Sequence, residues 1–243
     1  MRPVVFATAA VALFAVAAAP ASARAFDPSA LSGVGDSEQV IVVTASSWGT
    51  SHASVRAYER AGDGTWSPVV TATPARIGYS GMTPGKSRRQ GTGKTPVGTF
   101  GIVTTFGRLA KPKTEMPYVR FDRNDAWTYN PKSPSTYNVF QTASRSWRSF
   151  DGYVERLWRF GEQYNYVAVL DYNLPTGPIT ASADGIRRSS DPADTSMGGG
   201  IFLHVTNGTA TAGCIAIPQA TMGHIMRWLD PSKHPVIAIL PPS

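Results

Sequence analysis

A chain of 243 residues is long enough to bury a core of its own, as one large domain or two small ones. Its formal charge of +7 makes it basic, yet no run of Lys and Arg with interleaved aromatics occurs, which argues against a nucleic-acid partner. The one cysteine, Cys214, excludes an internal disulfide.

The chain opens with Arg2, an apolar stretch from Val4 to Ala19 and the small residues Pro20-Ala21-Ser22-Ala23. This is the pattern of a secretory signal peptide over residues 1–23, cleaved after Ala23 or Ala25. The apolar run is shorter than the ~20 residues that cross a bilayer, so no stable membrane span is expected after cleavage. No cysteine follows it, which excludes a lipid-modified N-terminus. Cleavage removes Arg2 and no acidic residue, so the exported chain stays basic and suits anionic polymers, lipids or carboxylate-bearing peptides. The clusters Lys86-Ser87-Arg88-Arg89 and Arg187-Arg188 read as solvated loops. Residues 24–38, small and polar, read as a flexible leader without structure; the folded domain is expected over 39–241.

From Gln39 the pattern turns β-rich, with strands expected over 39–46, 53–60 and 66–73. Ala61-Gly62-Asp63-Gly64 carries Asp-Gly turn chemistry and predicts a hairpin between the second and third. Residues 78–99, rich in glycine, form a long loop entering a strand at TPVGTFGI, 95–102, and a loop of this length predicts a role beside an active site. Residues 111–149 show no clear period, and only short strands near 118–121 and 137–141 are expected. A short helix is expected over 153–164, then a strand over 166–173 and a polar loop over 182–200. Strands follow at 201–205 and 214–218, an amphipathic helix at 222–229 and a closing strand at 236–240. Strands dominate, so the fold class is mainly β with one or two short helices.

The segment 201–218 places His204 ten residues before Cys214, both at the edges of apolar strands. A free thiol is mostly un-ionised at neutral pH until a histidine within hydrogen-bond reach takes its proton, so His204 is the candidate base and Cys214 the candidate nucleophile. Each has a blander alternative, a small buried apolar residue for Cys214 and a histidine satisfied by a carbonyl for His204. Gly213 lets backbone approach a reacting carbonyl and present N–H groups to an oxyanion, unless it is an ordinary turn glycine. A metal site built from Cys214 with His204, His224 or His234 matches no zinc spacing.

His204 followed by Thr211-Ala212-Gly213-Cys214-Ile215 resembles the histidine, then Ser/Thr-x-Gly-Cys-aliphatic signature of the L,D-transpeptidases, the YkuD-type catalytic domain. TPVGTF at 95–100 resembles the Thr-Pro-x-Gly-x-Phe strand upstream in that family, and the resemblance spans about 39–240. Val205, Ala212 and Ala216 stand where many members have glycine, a second histidine and an arginine that helps place a substrate carboxylate; Arg187, Arg188 and Lys94 are the candidates to replace that arginine. The resemblance implies a β-sandwich or barrel and an extracytoplasmic enzyme acting on peptidoglycan stem peptides without cofactor or metal. In it Cys214 attacks the carbonyl of the third stem residue, a diamino acid, and D-alanine leaves. A neighbouring stem's side-chain amine resolves the thioester into a 3-3 cross-link. Water in its place would make a carboxypeptidase, and lost chemistry a wall-binding protein. His204 moves the protons, oriented by a backbone carbonyl, while backbone N–H groups near Gly213 and Cys214 hold the oxyanion and Gly213 and Thr211 are the oxyanion and substrate residues.

Overall fold

The computed structural model describes residues 26–142, 150 and 153–242; the signal peptide reading lies outside the described residues. In chain order the strands are β1 (Gln39–Thr44), β2 (His52–Arg60), β3 (Trp66–Arg76), β4 (Met82–Pro84), β5 (Thr95–Gly107), β6 (Tyr118–Arg120), β7 (Ala126–Thr128), β8 (Val139–Gln141), β9 (Val154–Arg156), β10 (Val167–Leu170), β11 (Ile179–Ala181), β12 (Arg187–Ser189), β13 (Phe202–Val205), β14 (Ile215–Ile217) and, after helix α1 (Gln219–Trp228), β15 (Val236–Ile239). The fold is mainly β, as the sequence implies.

Strands run side by side as β10-β13-β14-β3-β2-β1-β15-β5, and β5 pairs back onto β10, so the sheet closes into a barrel and loses its edges. β1, β10, β13, β14 and β15 bury residues on both faces, which is why their sequences read as near-continuous apolar runs. In β1, Ile41 and Val43 enter the barrel core while Val40 and Val42 join a second cluster outside it. β10 does the same, with Ala168 and Leu170 inward and Val167 and Val169 outward. Helix α1 begins directly after Pro218 and seats Met222, Ile225 and Met226 in the barrel core, the i, i+3, i+4 stripe expected of an amphipathic helix. The hairpin at Asp63-Gly64 is present, with Gly64 at φ +85° and the Thr65 N–H donating to Asp63 Oδ1.

Three expectations are corrected. The described part of the leader is ordered: Asp27 caps a 3-10 turn over Pro28–Ala30, and Val34, only 2% exposed, packs with Val40, Val42 and Tyr58. The few apolar residues of this polar segment cover the outer face of β1, which would otherwise meet water. The segment expected as a helix over 153–164 forms β9 and then 3-10 turns over Leu157–Tyr164, broken at Gly161 with φ 56°. Its apolar positions Leu157, Phe160 and Tyr164 mimic a helical period, but β7 captures the first part as a partner strand. The polar loop 182–200 contains β12, which forms a two-stranded sheet with β11.

The aromatic cluster outside the barrel positions the site. Phe106, Phe121, Trp127, Leu157, Tyr164, Val167, Val169 and Phe202 fill the space beside the three-stranded sheet β8-β7-β9, and Cys214 packs against this cluster.

Candidate active site

β13 and β14 are parallel, with His204 opposite Ala216 and Leu203 opposite Ile215. Because side chains alternate, Leu203, Val205, Ile215 and Ile217 enter the barrel core, and Phe202, His204 and Cys214 turn to the other face. A one-residue slip would bury the thiol and the imidazole in the core.

The loop joining these strands is pinned to the end of β3: Thr211 N–H donates to Ile77 O at 2.9 Å, and Tyr79 N–H to Thr211 O at 2.8 Å. Gly78 N–H in turn donates to Thr95 Oγ1 at 2.9 Å, so the first residue of TPVGTF braces the loop that carries the cysteine. Within the loop, Thr211 Oγ1 accepts from Gly213 N–H at 3.1 Å and donates to Cys214 O at 2.7 Å. In this arrangement the Gly213 N–H is engaged by the Thr211 hydroxyl, and the two residues shape the turn before the cysteine. Gly213 sits at φ +139°, and a Cβ there would stand 2.9 Å from Lys94 O and 3.0 Å from Arg88 Nη2, so only glycine fits.

Cys214 is partly buried; its thiol donates to Gly200 O at 3.2 Å and accepts from Phe202 N–H at 3.4 Å. Burial, and then the nearby Glu155 carboxylate, push its pKa up to about 12, against the opposing pull of Phe202 N–H and Arg88. His204 is 4% exposed, its Nδ1 2.9 Å from Val205 O and its ring edge-on to Tyr164 at 5.4 Å. A carbonyl can only accept, so Nδ1 carries the proton toward Val205 O and the Nε2 lone pair is the basic site of the neutral ring. Burial brings the imidazole pKa down to about 4, although the carbonyls of Val205 and Gln163 work the other way. Among the described residues no hydrogen bond joins His204 to Cys214. The two share one cavity wall, and burial favours the neutral form of each.

That cavity, about 540 Å³, is large enough for part of a peptide. The glycine-rich loop supplies Tyr79, Arg88 and Gln90 to its wall, as the loop length implied. Arg88 was read as solvated, yet it is 4% exposed, donating from Nε to Lys94 O and from Nη1 to Met197 O, both at 2.8 Å. Among the described residues no carboxylate pairs with it. Of the cations proposed from sequence, Arg188 pairs with Asp184 at 2.8 Å, Arg187 donates to Phe140 O, and Lys94 contributes only its carbonyl to Arg88. His224 is exposed on α1 and His234 follows a 3-10 turn; neither lines the cavity. Among the described residues no three His, Cys, Asp or Glu side chains are grouped to hold a metal.

The family model of the L,D-transpeptidase catalytic domain, YkuD, matches residues 50–237. The chain belongs to the YkuD family. No curated protein matches it. Membership makes it an enzyme of the L,D-transpeptidase type whose substrate is peptidoglycan. No helix among the described residues is long and apolar enough to cross a membrane. In this L,D-transpeptidase domain, Arg88 brings a guanidinium from the glycine-rich loop to the side of Gly213, within electrostatic reach of Cys214. An Arg88→Met variant is expected to lower the rate of Cys214 acylation about 10- to 100-fold and to move thiol alkylation to higher pH. An alkylation profile superimposable on that of the parent would assign Arg88 to structure alone.

Proposed function

We propose that the protein is an exported cysteine acyltransferase that joins peptidoglycan stem peptides by 3-3 cross-links through a Cys214 thioester. The observation that carries this reading is the presence of one thiol and one base-competent imidazole on the wall of the same cavity, in a chain of the YkuD family. The donor's third-residue carbonyl reaches Sγ, His204 Nε2 takes the thiol proton, and the same imidazolium protonates the departing amine of D-alanine. Val205 O holds the ring in the tautomer this requires. With Gly213 N–H engaged by Thr211, the oxyanion donor we assign is the N–H of Cys214, set by the Thr211 turn. Burial raises the thiol pKa and lowers that of the imidazole, which favours the neutral pair and a proton transfer coupled to attack. The signal peptide at 1–23 delivers the enzyme to the wall, and the basic charge suits anionic wall polymers.

Incubating the protein with purified tetrapeptide wall fragments and resolving products by mass spectrometry tests the reading. Dimers linked between third residues, with release of D-alanine, are expected. Tripeptides without dimers would mean hydrolysis, and unchanged fragments a binding protein.

A further inference from the structure

We infer that the part of the cavity around Glu155 is a binding subsite for a primary ammonium, the side-chain amine of the acceptor peptide. This rests on the acyl-transfer reading above for the identity of the amine, and on the following geometry for the site. Glu155 lies in the middle of β9 opposite Trp127 and lines the cavity that holds Cys214 and His204. Around it the wall is aromatic, with Tyr129, Tyr153, Phe160 and Tyr164. Phe160 stacks on Tyr164 at 4.7 Å and Tyr129 meets Tyr153 edge-on at 6.2 Å, so these rings hold one another in place. Tyr164 donates its hydroxyl to Glu155 Oε1.

No Lys or Arg among the described residues forms an ion pair with this carboxylate. Its charge nevertheless reaches the reacting group, since it raises the pKa of Cys214, and of Tyr129 and Tyr164 as well. Glu155 is half-buried in the cavity wall, with no cation paired to it among the described residues, and desolvation pushes its pKa up to about 7. A ligand cation offsets that desolvation, and aromatic faces beside a carboxylate are the surroundings an ammonium prefers. A neutral amide in the same place gains neither interaction. Arg88, beside Gly213, leaves the cavity with one cationic and one anionic point, matching a donor that ends in a carboxylate and an acceptor that ends in an amine.

In transfer the acceptor nitrogen forms the C–N bond as the C–S bond breaks. Of the two protons the ammonium sheds, one passes to the Glu155 carboxylate and then to water; the other passes through His204 to the Cys214 sulfur.

The test uses Nα-acetyl-L-lysine methylamide and its Nε-acetylated form, titrated by calorimetry into the wild-type protein and into Glu155→Gln. The wild type is expected to bind the free amine about tenfold or more tightly than the acetylated one, and Glu155→Gln to bind the two alike. A wild type that binds both equally or neither, or a Glu155→Gln protein that keeps the preference, overturns the assignment. The comparison of two ligands on the unaltered protein stands even where the variant is unstable. No donor and no turnover are needed, so failure here is separate from failure of the acyl-transfer reading, which acylation of Cys214 reports.

Discussion

Cys214→Ala is expected to lose transfer and hydrolysis together, by on the order of 10⁴- to 10⁶-fold, since no other thiol exists to form the acyl intermediate. The fold is expected to tolerate the change. Cys214 is partly buried at the margin of the aromatic cluster, and its sulfur makes only two long hydrogen bonds, to Gly200 O and Phe202 N–H. Truncation there removes little packing and costs about 1 kcal/mol or less. Activity lost with a nearly unchanged melting temperature separates nucleophile from structural residue; turnover above about a tenth of the parent's would contradict the assignment.

His204→Gln is expected to slow acylation about 10²- to 10⁴-fold, because the variant can still fill the space beside Tyr164 but cannot take the thiol proton. The pH dependence distinguishes a base from a packing residue. Burial holds the His204 pKa at about 4, so the neutral imidazole persists well below the usual histidine range, and the acid limb of acylation should lie below pH 6. The same shift has a stability consequence. Between the unfolded value of 6.5 and the folded value of about 4, the unfolded chain binds a proton at this site and the folded chain does not. Stability from this group is therefore intact above about pH 6.5 and falls as pH drops toward 4, by up to about 3 kcal/mol. His204→Gln should flatten that slope, measured by denaturant midpoints across the window.

Legibility in the sequence followed how strongly burial stamps a period on a segment. β1, β13 and β15 are apolar along their length because both faces are covered, and the reading places them within a residue or two. The Asp-Gly hairpin is equally plain, since its turn needs a positive φ that glycine supplies. β8 lies within the strand expected near 137–141, but β7 and β9 are three residues each, too short to show alternation among the aromatics of that region, so the sheet they form with β8 was not visible. That Cys214 and His204 would stand together was legible because their residue types are rare here and lie at strand edges; the structure sets both on the wall of one cavity. Arg88 and Glu155 were not legible, because a sequence records charge and not burial. Arg88 sits in a basic run that resembles a surface loop, and only the fold turns its guanidinium toward Gly213. Glu155 lies in a stretch whose period suggested a helix, and its place in a cavity wall depends on β9 pairing with β7. The bond from Gly213 N–H to the Thr211 hydroxyl two residues earlier was not legible either, since it depends on the turn that the folded loop makes.

The most direct measurement of the central claim is the intact mass of the wild-type protein and of Cys214→Ala after exposure to a carbapenem, followed by peptide mapping of any adduct. One acyl adduct on the wild type, mapped to the peptide containing Cys214 and missing from Cys214→Ala, is the expected result. An identical adduct on both proteins would show that the acyl group is carried elsewhere.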